Sequence, residues 1–195
     1  VSSIVPRWEW RTFGDDFGAA DARFASMAPE RVQESDETYL LSSRSDASIK
    51  VRDGLMDVKR LEAVDENGLE QWKPVMKAEF PLPASGVQDV LAALGVAAPA
   101  LERPAYTLEE LIADVISASP DLRAVEVHKH RDHFTVAGAM AELSAIRAEG
   151  TERRTIAVES EDPALVIVAV GELGLPLKPN VCLARGLKAM VGFGA

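Results

Sequence analysis

Charged residues in this chain recur at alternate positions inside runs that otherwise read as β-strands. In RWEWRTF, residues 7–13, Trp8 and Trp10 fall on one face and Arg7, Glu9 and Arg11 on the other, because neighbours in a strand point to opposite faces. IKVRDG sets Lys50 and Arg52 opposite Ile49 and Val51, and MDVKRL sets Asp57 and Lys59 opposite Met56 and Val58. MKAEF sets Lys77 and Glu79 opposite Met76, Ala78 and Phe80, and TIAVES sets Glu159 opposite Ile156 and Val158. An antiparallel sheet with one wet face is the common source of such alternation. A sheet closed into a barrel would instead turn the charges inward, where they must be paired or hold a ligand. Inward Lys and Arg would then take phosphate oxygens, and inward carboxylates a divalent metal.

The elements that must position these residues are legible from turns and caps. Strands are predicted over VPRWEWRTF, RVQESDETYLLSS, ASIKVRD, LMDVKRLEAV and LEQWKPVMKAEF. Asp53-Gly54 and Asn67-Gly68 mark hairpin turns, which imply antiparallel pairing. RAVEVHKHRDHFTV, AMAELSAIRAE and RRTIAVESE are three more strands. Helices are predicted over DDFGAADARFASMA with Asp15 or Asp16 as N-cap, SGVQDVLAALG ended by Gly95, and TLEELIADVIS with a Thr107/Glu110 capping box. Two more follow: DPALVIVAVGELGL, with Asp162 as N-cap and Pro163 at its first position, and NVCLARGLKAMVGF, capped by Asn180.

One register is left with two readings. If Val125 and Val127 face the core under the outer helices, Glu126, His128 and His130 face inward. Inward Lys129, Arg131 and His133 would then require a bulge near Lys129. His128 and His130 could offer two metal ligands on one face, but no Cys or third-ligand motif stands beside them. Solvated or phosphate-contacting histidines are the favoured reading.

Composition narrows the partners. The 195 residues carry 21 Lys and Arg against 31 Asp and Glu, a net charge of −10. That balance argues against general nucleic-acid or anionic-membrane binding, which needs a basic footprint. No apolar stretch is long enough to span a bilayer. The single cysteine, Cys182, excludes an intrachain disulfide, suits a cytoplasmic setting and reads as a buried structural thiol.

Taken in order, these strands resemble those of the CYTH family, the triphosphate tunnel metalloenzymes, which includes class IV adenylyl cyclases, thiamine triphosphatases and tripolyphosphatases. RWEWR stands in the place of the family's Glu-x-Glu-x-Lys strand. SDETYLL, IKVRDG and DVK follow, then VHKHRDHF in the place of its Lys-x-Arg strand. AELSAI matches its acidic strand, and IAVESED its final Glu-x-Glu strand. The resemblance covers almost the whole chain and implies one α+β domain over 1–195, an eight-stranded antiparallel barrel with helices packed outside. It implies phosphate contacts at Arg11, Lys50, Arg52, Lys59, Lys77, Lys129 and Arg131, and Mg²⁺ or Mn²⁺ at Glu9, Glu79, Glu142 and Glu159. Two positions depart from the pattern. Arg7 replaces a glutamate and is itself a candidate phosphate contact, and Ala157 stands where another glutamate is expected. The implied function is binding of a triphosphate or inorganic polyphosphate, with metal-dependent hydrolysis ahead of cyclase chemistry. A non-catalytic phosphate-binding or regulatory module is the alternative that Arg7 and Ala157 favour. Neither nucleic acid nor membrane is an expected partner, and a homodimer is left open.

Overall fold

The computed structural model describes residues 5–194. Five strands come first: β1 (Arg7–Gly14), β2 (Arg31–Ser42), β3 (Ser48–Arg52), β4 (Leu55–Val64) and β5 (Glu70–Glu79). The helix α1 (Ala19–Ala25) lies between β1 and β2. A short ribbon, β6 (Leu82–Pro83) with β7 (Ala105–Tyr106), brackets α2 (Ala84–Ala93). The helix α3 (Leu108–Glu110) follows and continues as a π-helix, Leu111–Ile116. Then come β8 (Leu122–Val136), β9 (Ala139–Ala148) and β10 (Thr151–Ser160), and the helices α4 (Pro163–Glu172) and α5 (Leu183–Met190). The eight long strands close into an antiparallel barrel in the order β1-β10-β9-β8-β2-β3-β4-β5. This is the α+β barrel that the resemblance implied.

The strand alternation decides what faces where. On β1, Trp10 points outward and is buried with Ile156, Val158 and the α4 residues Val166, Ala169 and Val170. Its indole N–H donates to the Leu177 carbonyl at 2.9 Å. On β3 and β4, Ile49, Val51, Met56 and Val58 pack outward under α2 and the π-helix. The opposite positions face the barrel axis, so Glu9, Arg11, Lys50, Lys59 and Glu159 line its interior.

The expected bulge in β8 is absent. The strand pairs with β2 and β9 without a register break through Lys129. Val125, Val127, Lys129 and Arg131 share one face and are all buried. The two readings of this strand conflicted because each took the lumen to be uniformly charged. Instead its lower end is apolar. There Val125, Val127, Tyr39, Leu41, Trp72 and Ile146 pack against Cys182, Ala184 and Leu187 at the start of α5. His128 and His130 therefore face outward, toward Asp36 and Glu34 on β2.

Two helix caps differ from expectation. The N-cap of α1 is Gly18, since Asp16 accepts from the Gly18 N–H and fixes the turn before the helix. The N-cap of α5 is Cys182. Asn180 is spent on the barrel: it accepts from the Arg11 N–H and donates to the Glu9 and Gly68 carbonyls. The capping box at Thr107 and Glu110 and the Asp162 cap of α4 are as expected.

The seating of α5 depends on a close approach at Gly186. A Cβ there would stand 2.1 Å from the Phe13 ring. Gly186→Ala should therefore destabilise the fold by about 1–3 kcal/mol, as overpacking does elsewhere. Urea denaturation would measure this, and adding Phe13→Leu should recover part of the loss.

Candidate functional site

The lumen above the apolar plug is a cavity of about 220 Å³, lined by residues that include Arg11, Lys50, Lys59, Lys129, Arg131 and Glu142. Against three of these lining cations, Lys50, Lys129 and Arg131, lies a residue that the motif pattern does not single out, Glu37 on β2. It is 1% exposed. Lys129 and Arg131 from β8 each approach its carboxylate to 3.2 Å, Arg52 from β3 to 3.4 Å and Lys50 to 3.5 Å. The Tyr39 hydroxyl donates to it at 2.7 Å and the Ser35 hydroxyl at 3.1 Å. Four basic side chains thus share one carboxylate, an excess of three positive charges when all four are protonated.

These charges perturb one another in definite directions. Burial alone would raise the Glu37 carboxyl, but Lys129, Lys50, the Tyr39 hydroxyl and Arg131 outweigh it and hold it far below the usual carboxylate range. Burial pulls the Lys129 ammonium down to about 7 even though Glu37 pulls it up. Lys50 is lowered too, by burial first and then by Arg52 and Arg131, against the pull of Glu37. The Tyr39 hydroxyl is pushed up by burial and by Glu37, so it remains a donor.

A second rank lies above this cluster. Arg11 on β1 pairs across to Ala157 on β10, which pairs to Glu142 on β9, which pairs to His133 on β8. The methyl of Ala157 leaves the lumen above β10 open, and the Arg11 guanidinium crosses it. Its Nε lies 3.0 Å from Glu9, and its Nη1 lies 3.4 Å from Thr155 and 4.0 Å from Glu142. Ser144 donates to Glu142 at 2.6 Å. Burial would raise Glu142, but Arg11, Lys129 and the Ser144 hydrogen bond hold it low. At the mouth, Arg7 pairs with Glu159 at 3.3 Å.

Some capacity in the lumen is unspent. Among the described residues, the buried Nε of Arg131 and Nε2 of His133 have no hydrogen-bond partner. Buried polar atoms are rarely left so. Lys59 also lines the cavity, and among the described residues it makes no ion pair within 4.0 Å. At the closed end, Arg185 of α5 bridges Asp46 and Glu70, and Lys188 holds Asp46. Cys182 is buried there and its thiol is pushed up to about 11 by burial, which keeps it protonated at neutral pH.

The structure thus brings together most of the residues singled out by pattern: Glu9, Arg11, Lys50, Lys59, Lys129, Arg131, Glu142 and Glu159. Arg52 joins them through Glu37. Lys77 and Glu79 do not join them. They are exposed at the far end of β5, past a register shift at Val58/Lys59, where they oppose Asp57 and Leu55. Glu37 was visible in DETYLL as a carboxylate in phase with Tyr39 and Leu41. That is an acidic side chain on an apolar face, which burial allows only with partners.

The carboxylates do not fit Mg²⁺ or Mn²⁺. Glu9 and Glu142 share Arg11, Glu159 carries Arg7, and Glu79 lies outside the cavity. Among the described residues, no group of three or more His, Cys, Asp or Glu is placed to hold a metal.

No protein-family model matches the sequence, and no curated protein matches it. Solved structures do. A Hippeastrum protein assigned as an adenylyl cyclase and described by a dominant triphosphatase activity is similar at 11% identity and a TM-score of 0.48, over 96% of each chain. A Bacillus halodurans protein assigned as an adenylate cyclase is similar at 11% identity and a TM-score of 0.48, over 91% of this chain and 95% of that one. A conserved hypothetical protein of Pyrococcus furiosus is similar at 18% identity and a TM-score of 0.46, over 87% of this chain and 91% of that one.

Removing the shared carboxylate should be costly. Glu37→Gln leaves four cations without their counter-charge and should destabilise the protein by about 3–5 kcal/mol in urea denaturation at neutral pH. Because the folded pKa of Glu37 is depressed, its contribution is present above the unfolded value and is lost as pH falls below about 4.3. The gap between wild type and variant should therefore narrow in acid.

Proposed function

We propose that the barrel binds a triphosphate-bearing compound or inorganic polyphosphate in its lumen, with Lys50, Arg52, Lys59, Lys129 and Arg131 as the principal contacts and Arg11 and Arg7 along the path to the mouth. One observation carries this reading. Four cations crowd a single buried carboxylate while Arg131 Nε has no partner. Like charges held this closely are costly in a low-dielectric interior. An anion with several negative charges relieves that repulsion and supplies the missing acceptors. A phosphate chain has that charge density and a row of oxygens matched to Lys and Arg donors. A sugar or an uncharged ligand would relieve nothing. Lys77 shares a cross-strand rank with Lys50 through Asp57, but it is exposed and does not line the cavity, so it is not among the principal contacts.

Isothermal titration of the protein with inorganic tripolyphosphate tests the reading. Binding should occur, and Arg131→Met should weaken it by about tenfold or more, as expected for loss of a charged hydrogen-bonding partner. Absence of binding in the wild type would overturn it.

The affinity should also depend on pH. Free Lys129 titrates at about 7, and a bound polyanion favours its charged form. The competent fraction falls as pH rises through that value, so affinity should drop about tenfold between pH 6 and pH 8. In Lys129→Arg the charge is permanent. The variant removes this step and leaves the pH dependence of the ligand and of the other lumen groups, which both proteins share. The comparison of the two profiles isolates Lys129.

A further inference from the structure

We infer that the lumen takes its phosphate chain as a free anion, because two arginines of the chain already occupy the cation positions beside its carboxylates. This rests on the reading of the lumen as a phosphate site and concerns what that site requires.

The observation is the rank Arg11–Ala157–Glu142 on β1, β10 and β9. Ala157 stands between Arg11 and Glu142 and offers no donor of its own, so the guanidinium is the charged group beside these carboxylates. Arg11 is 8% exposed, lies 3.0 Å from Glu9 and 4.0 Å from Glu142, and is itself held by Thr155 and by Asn180 at its backbone. Its partners raise its pKa further against burial, so the charge is permanent. At the mouth, Arg7 does the same for Glu159 at 3.3 Å. Mg²⁺ demands near-octahedral oxygen coordination. Here Glu9 and Glu159 each have one oxygen paired with a guanidinium, Glu142 accepts from Ser144 with Arg11 4.0 Å away, and an incoming dication would be repelled by both arginines.

Arginine is not an equivalent replacement for a divalent ion. It supplies charge and directed N–H donors, but it cannot polarise a phosphoryl oxygen as a Lewis acid or activate a water. The two arginines therefore suit retention of a phosphate chain. Departures that looked separate in the sequence, Arg7 and Ala157, become one arrangement.

The test is calorimetric titration of tripolyphosphate in EDTA and again with excess Mg²⁺ or Mn²⁺. Affinity in EDTA should equal or exceed that with metal, since metal sequesters the free anion. Binding that is about tenfold or more tighter with metal would overturn this inference and leave the phosphate site standing. Absence of binding in both would overturn the phosphate site as well. Titration of Mn²⁺ alone, followed by electron paramagnetic resonance, provides an independent readout. Wild type should not bind Mn²⁺, whereas Arg11→Gln, which frees Glu9 and Glu142, should gain Mn²⁺ affinity by about tenfold or more. Tight Mn²⁺ binding by wild type, or equal affinity in a folded Arg11→Gln, would overturn the inference. If the variant does not fold, the wild-type measurement decides alone.

Discussion

The geometry of the lumen depends on one unequal partnership, a single buried carboxylate held by four cations. Glu37 is fully ionised because its neighbours outweigh its burial. In return it pulls Lys129 and Lys50 back toward their charged forms against their burial. Each side chain comes from a different register position on β2, β3 or β8, so the cluster also ties those strands into one closed wall. An ion pair of equal charges would be self-sufficient. This cluster is not, and the residual positive charge is what makes the cavity chemically specific. A buried charge network of this kind is poor evidence for stability and better evidence for selection of a particular structure and ligand.

The barrel solves two problems along one axis. At the α5 end the lumen is filled as a core is filled, by Val125, Val127, Tyr39, Leu41 and Trp72 under Cys182 and Leu187. At the other end it is polar. The join lies at Tyr39, whose ring packs with the plug, whose hydroxyl donates to Glu37, and over which Lys129 sits at 4.7 Å from the centroid. Closing one end turns a through-passage into a pocket with a single mouth. It also lowers the local dielectric around the cations, strengthening every charge interaction at the site. Arg185 and Lys188 fasten α5 through Asp46 and Glu70, so the closure is itself built from ion pairs.

Most of the barrel was legible because period-two alternation and the Asp53-Gly54 and Asn67-Gly68 turns are local signals. Alternation could separate faces but could not say which face was internal, since a wet-faced sheet and a charged barrel read alike. Closure is a property of pairing between β1 and both β5 and β10, far apart in the chain. The β8 register misled for a related reason. Valine and lysine on one face look contradictory until the lumen is seen to change character along its length. Glu37 was missed because a strand carrying Ser35, Glu37, Tyr39 and Leu41 on one side gives no charge run to notice. Lys77 and Glu79 have the right parity and pair across β4 with the ranks of Lys50 and Arg52, but both are exposed and outside the cavity lining, which alternation alone does not report. Asn180 looked like a helix cap because Asn commonly is one. A tertiary demand, holding the Glu9–Arg11 backbone, took precedence.

The most direct measurement is a crystal structure of the protein grown with tripolyphosphate in the presence of EDTA. The account predicts phosphate density inside the barrel, with oxygens within hydrogen-bond distance of Lys50, Lys129 and Arg131, and the Arg131 Nε engaged. Density confined to the outer surface, with the lumen cations unchanged around Glu37, would contradict it.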